Sequence, residues 1–91
     1  MTKVLTHYAV IANGELQITE MSEARARREM RDLRKMECDG IKCFAVTGEG
    51  VDPEDAIDNI ENVYRDGKTC GKKTLAKFEE ACNVKIRVFT L

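Results

Sequence analysis

Arginine is the residue whose number and spacing most invite a chemical reading of this chain. Six basic side chains, five of them arginine, fall between Arg25 and Lys35. Arg27, Arg31 and Arg34 recur at helical spacing on one side, with Arg28 and Lys35 close beside them, roughly opposite Ala26, Met30 and Leu33. A helix here carries a basic stripe toward solvent. Guanidinium groups present a rigid fork of donors that suits phosphates and carboxylates, so the stripe fits a nucleic acid or an acidic protein surface. The plainer account is a solvated face with ordinary i,i+4 contacts, such as Glu23 with Arg27.

The converse pattern follows downstream, where Asp52, Glu54, Asp55, Asp58 and Glu61 surround a second predicted helix. Acids in a first turn stabilise a helix through its dipole by about 0.3 to 1 kcal/mol each, which accounts for Asp52, Glu54 and Asp55 without any function. Asp58 and Glu61 lie beyond that turn. A spaced row such as Asp55, Asp58 and Glu61 can imitate the phosphates of a nucleic acid and occupy an arginine-rich or lysine-rich groove on a target. A third group, Lys68, Lys72 and Lys73, sits near the start of a third helix, where it either grips an anion or keeps a loop soluble.

These groups make the overall net charge of −1 misleading. Residues 22–43 carry +2, residues 48–66 carry −6 and residues 67–91 carry +4. Segregation of this kind creates local fields that steer charged partners even when the whole molecule is nearly neutral.

Other chemistry is set aside on spacing. Gly67-Lys68-Thr69-Cys70-Gly71-Lys72-Lys73-Thr74 has the flavour of a P-loop, but Asp66 and Lys73 stand where the motif needs glycine and a hydroxyl, and no strand precedes it. Cys38, Cys43, Cys70 and Cys82 lack the paired spacing of a zinc site, and the only histidine, His7, is distant from them. They are expected to be free thiols, with Cys43 and Cys82 packed as small hydrophobes and Cys38 ending a helix. His7 has no motif-placed nucleophile and is expected to be a partly buried structural residue. Tyr8, Phe44 and Phe89 lack the glycine-aromatic signature of RNA-recognition sheets, and core packing is the stronger account of them. No metal, cofactor or catalytic set is predicted.

Ninety-one residues suit a single domain spanning 1–91, with room for one core. A hydrophobic content of 43% and a charged content of 34% describe a folded, well-solvated protein. No run approaches the roughly 18 apolar residues of a membrane span. The segment Met1-Thr2-Lys3-Val4-Leu5-Thr6-His7 lacks the apolar stretch of a signal peptide, so a cytoplasmic location is expected.

The elements that must position the charges are readable. Val4 to Ala12, then Asn13-Gly14, then Leu16 and Ile18 form the strongest short-range hairpin signal, with Asn-Gly supplying the positive φ angles of a type I′ turn. Tyr8, Val10 and Ala12 share one face of the first strand; Leu5, His7, Ala9 and Ile11 share the other. Such a strand is central. Ser22 caps a helix running to about Glu37, broken by Asp39-Gly40, and Ile41 to Thr47 forms a third strand before the loop Gly48-Glu49-Gly50. Asp52 and Pro53 start a helix with Ala56, Ile57, Ile60, Val63 and Tyr64 inward, ended by Asp66-Gly67. Lys72 to Cys82 forms another, with Asn83 as a left-handed terminator, and Val84 to Leu91 closes as a strand. The order β-β-α-β-α-α-β predicts an α+β two-layer sandwich, a four-stranded and mostly antiparallel sheet with about three helices on one face.

The hairpin Tyr8-Ala9-Val10-Ile11-Ala12-Asn13-Gly14-Glu15 followed by Met21-Ser22-Glu23-Ala24-Arg25-Ala26-Arg27-Arg28 resembles small phage-encoded proteins, and among them anti-CRISPR inhibitors. The resemblance covers the N-terminal third. It implies a protein in the host bacterial cytoplasm that binds a CRISPR effector complex stoichiometrically and blocks DNA recognition; it assigns no individual residue. Independently of it, a chain with one histidine and no motif has little material for a catalytic cleft, and a sequence pI near 5.8 disfavours a general nucleic-acid binder. The expectation is a non-enzymatic inhibitor that binds a protein or ribonucleoprotein complex through charged surfaces. The alternative is a small nucleic-acid binder using the arginine helix and the Lys68 to Lys73 link.

Overall fold

The computed structural model describes residues 3–91, so Met1 and Thr2 of the N-terminal segment lie outside the described residues. Seven elements follow in order: β1 (Val4–Ala12), β2 (Glu15–Glu20), α1 (Glu23–Lys35), β3 (Lys42–Glu49), α2 (Glu54–Arg65), α3 (Lys72–Cys82) and β4 (Val84–Phe89). The four strands form one sheet in the order β2-β1-β3-β4, and every neighbouring pair is antiparallel. This is the predicted α+β fold, with β1 central as its two apolar faces require.

Local chemistry explains the turns. Asn13 and Gly14 both adopt positive φ, 54° and 74°, so the β1–β2 connection twists with its strands. Between Val10 and Ile11 the β1–β2 register slips, so Val10 faces Ile18 whereas Ile11 faces Leu16. Gln17 is the extra residue, and its side-chain amide donates to the Ala12 carbonyl at 2.9 Å. The bulge turns Leu16 and Ile18 to opposite faces, which plain alternation does not predict. Helix α1 stops earlier than Asp39-Gly40 suggests. Glu37 takes a left-handed conformation (φ 61°), its N–H donates to the Arg34 carbonyl and that of Cys38 to Leu33, the double closure of a Schellman motif. Cys38 therefore lies past the helix.

The packing departs from the expected two layers. Ala9, Ile11, Phe44 and Val46 form a cluster with Ala56, Ile57, Ile60 and Tyr64 of α2, Leu75 of α3 and Val84 of β4. Val10, Ala12 and Cys43 form a second cluster with Ala26, Met30 and Leu33 of α1. Odd and even positions of β1 point to opposite faces, so α1 covers one face and the α2–α3 pair the other. The molecule has three layers, and the expectation of all helices on one face is corrected. The reason lies in β1 and β3, whose residues are apolar on both sides: a single helical layer would leave one set in water, at about 1.5–3 kcal/mol for each large side chain.

The β3–α2 link is tight at Gly48, where a Cβ would fall onto the Val51 carbonyl oxygen. This backbone approach requires glycine and lets β3 extend through Glu49, past the loop expected at Gly48.

Met30 is fully buried beneath α1, whereas Arg28 on the same helix is exposed. Met30→Ala should cost about 2–5 kcal/mol and Arg28→Ala no more than about 0.5 kcal/mol. Urea denaturation at matched m-values checks this, and equal effects would contradict the packing of α1.

Candidate functional site

The basic helix and the last strand are tied together at one point. Ser22 caps α1, its hydroxyl accepting the Arg25 N–H at 3.2 Å, which sets Ala26, Met30 and Leu33 down on the sheet. Arg27 then falls on the flank of α1 that faces β4. The Glu23 carboxylate accepts from Arg27 Nε at 3.1 Å through one oxygen and from Arg87 Nη2 at 2.7 Å through the other. Both guanidiniums lie over the Phe89 ring, at 4.4 and 5.1 Å from its centroid. An anion and a π-face thus hold two like charges side by side.

The electrostatics follow from this geometry. The hydrogen bond from Arg87, and then that from Arg27, hold the Glu23 carboxyl below the usual glutamate range, while the same carboxylate raises Arg87 further. Both groups are open to solvent, so the cluster contributes little to stability. Its effect is positional, because long side chains that otherwise sample many rotamers are restrained together.

Beyond the edge of α1 the same sheet face continues uncovered. Thr6, Tyr8, Ala45, Thr47, Lys85 and Arg87 line a shallow depression there, with the Thr6 and Thr47 hydroxyls bonded at 2.8 Å. The register places Thr47 opposite Lys85 and Ala45 opposite Arg87, so both basic residues of β4 project onto this face. Arg28, Arg31, Arg34 and Lys35 are exposed on α1. Among the described residues, none of these four or Lys85 has a carboxylate within ion-pair distance. Basic residues thus run from the outside of α1, where Glu29 and Asp32 are interspersed, across Arg27 and Arg87 to Lys85.

The structure gathers only part of the predicted charge. Lys68 lies in the link after α2, and Lys72 and Lys73 open α3; all three are exposed and belong to the layer on the opposite side of the sheet from α1. They form no common site with the arginines. Asp55 and Asp58 are exposed on α2, also in that layer, whereas Glu61 is half-buried and pairs with Arg65 at 3.4 Å. Arg27 is less free than its stripe neighbours, because the i,i+4 contact with Glu23 is made. Lys85, Arg87, Phe89 and Tyr8 complete the surface without having been singled out for it. The alternation of Lys85 and Arg87 in a strand was a visible signal; that α1 would lie beside them was not.

Elsewhere, His7 is buried on the α2 side and its Nδ1 lies 3.1 Å from Glu54 Oε1, the Glu54 N–H in turn donating to Asp52 Oδ1 at 3.0 Å. The four cysteines are free thiols. Cys43 is fully buried and its thiol is pushed up to about 12 by desolvation; Cys70 is raised for the same reason. Cys82, expected to be buried, is partly exposed and lies 3.6 Å from the Asn59 amide. Among the described residues no helix is long and apolar enough to cross a membrane. The chain matches no protein-family model, and neither a curated protein nor a solved structure matches it.

Two outcomes test this description. Folding lowers the Glu23 pKa, so its stabilising effect is complete above the ordinary value of 4.5 and is lost as pH falls through the lower folded-state value. The stability difference between wild type and Glu23→Gln should therefore be small at neutral pH and shrink further as pH drops below 4.5, as read by urea melts across that range. Native-state alkylation at about pH 8 followed by mass spectrometry should modify Cys38 and Cys82 while leaving Cys43 untouched. Early labelling of Cys43 would contradict its burial.

Proposed function

We propose that this chain is a non-enzymatic binding protein, a stoichiometric inhibitor of a bacterial macromolecular complex that recognises nucleic acid, with a CRISPR effector as the partner the N-terminal resemblance suggests. The observation that carries the reading is the fixed pair of guanidiniums at Arg27 and Arg87, joined through Glu23 and seated on Phe89. Preorganised side chains lose less freedom on binding, so a basic surface of this kind gains more from each contact than a mobile one. The matching partner surface is acidic: carboxylates on a protein subunit or phosphates held within a ribonucleoprotein. With Asp55 and Asp58 on the other side of the sheet, a long polyanion that wraps the molecule is disfavoured, and a local contact by one face is favoured.

A direct nucleic-acid contact is the second reading, favoured by Tyr8 on the open sheet face beside Lys85 and Arg87. Aromatic and guanidinium groups together provide stacking and phosphate contacts for a single strand.

The test is affinity capture from a bacterial lysate containing an active CRISPR effector, followed by titration of the captured complex. The expected result is loss of target-DNA binding at one inhibitor per complex. Arg87→Ala, or Arg31→Glu combined with Arg34→Glu, should weaken capture by at least about 30-fold, whereas Asp58→Lys should not. Unchanged capture by the arginine variants together with weakened capture by Asp58→Lys would transfer the interface to the acidic row. If naked RNA or DNA is retained with a steep salt dependence, the second reading replaces the first.

A further inference from the structure

The basic surface leaves one cluster of metal-ligating groups unused. His7, Asp52 and Glu54 bring one ligand atom each within 4.8 Å of one another. From this convergence we propose that His7 Nδ1 and the carboxylates of Asp52 and Glu54 form a binding site for a first-row transition-metal ion of the zinc type.

Three features of the fold support it. First, the spacing is suitable: a tetrahedral zinc with bonds of about 2.0–2.1 Å holds neighbouring ligand atoms about 3.3 Å apart. His7 Nδ1 and Glu54 Oε1 stand at 3.1 Å. Second, the three residues differ in freedom in a useful way. The His7 side chain is only 11% exposed and is anchored in β1, whereas that of Glu54 is 51% exposed and Asp52 is also exposed. A buried nitrogen thus sets the position, and two solvent-exposed carboxylates complete the set. Asp52 accepts the Glu54 N–H through Oδ1, and an ionised carboxylate has a second oxygen to offer an ion.

Third, the charge is right. Residues 48–66 carry −6, and among the described residues no lysine or arginine pairs with Asp52 or Glu54. The positive end of the α2 dipole opposes a cation, but two carboxylates outweigh it. Imidazole as one ligand favours zinc, nickel or copper over magnesium and calcium, which prefer oxygen alone. The ion would displace the proton from Nδ1, leaving positions for water or a partner's donor.

The site lies on the α2–α3 side of the sheet, so it neither depends on the basic surface nor shares residues with it. Since β1 and the start of α2 are far apart in sequence, the ligands converge only in the folded chain. An ion bound there must stabilise the fold.

Metal-stripped protein titrated with Zn²⁺ alone is the direct test. About 100 μM Zn²⁺ should raise Tm by about 5 °C or more. Asp52→Asn and Glu54→Gln, which keep the cap and the hydrogen-bonding capacity, should fold normally and lose most of that shift. His7 is the only histidine, so its ring nitrogen signals in a ¹⁵N NMR spectrum are unambiguous and should move with the metal. Co²⁺ in place of Zn²⁺ should give a spectrum without a thiolate charge-transfer band. No Tm shift, an equal shift in both variants, a thiolate band, or an unmoved imidazole would each overturn the site.

Discussion

The antiparallel pairing of β1 with β3 is the constraint on which the rest of the molecule depends. Eight registered pairs, from Val4 with Glu49 to Ile11 with Lys42, place these two strands at the centre of the sheet. Ala9, Val10, Ile11, Phe44 and Val46 are almost wholly removed from water, and they point to both faces. That two-sidedness forces the helices apart into separate layers. The third layer thus follows from composition at the centre of the sheet rather than from any preference of the helices themselves. It also determines which charged segments can share a surface.

Because α1 alone occupies its face, it covers only part of it. The uncovered part is where Arg87 and Lys85 emerge, and the flank of α1 that borders it carries Arg27. The Glu23 carboxylate closes this border from the helix side, and Phe89, packed against the cluster that holds Cys43 and Met30, closes it from below. A surface position that is normally mobile is connected to the interior through one aromatic ring. Charge placed this way keeps a defined geometry without being buried, so it avoids the desolvation cost of an interior ion pair.

Much of the backbone was legible in the residues. Asn13-Gly14, Asp52-Pro53 and Asn83 marked turns and helix ends because each satisfies a specific dihedral or hydrogen-bond demand, and the periodicity of Ala56, Ile57, Ile60 and Tyr64 showed the inner face of α2, whereas Val63, read with them, is only partly buried. What escaped was set by contacts between distant segments. Nothing local tells that Gln17 will bulge, that the helix will close at Glu37 before the left-handed Gly40 is reached, or which face α1 will choose. The candidate surface suffered most from this. Arg27, Arg28, Arg31, Arg34 and Lys35 were visible as a stripe, but their continuation into β4 depends on a pairing across sixty-four residues between Glu23 and Arg87.

The same central pairing gives the chain a non-local closure to make. The β1–β2 hairpin and the three helices close short loops and can form on fast local timescales. The β1–β3 ladder must instead bring Val4 to Glu49 around the whole of β2 and α1, and the entropy of closing that loop is spent before any ladder bond rewards it. Until it closes, neither core cluster has its floor, and α1 has no strand face to settle on. Both core clusters therefore depend on one long-range closure, that of β3 beside β1, which no local turn or helix signal can supply.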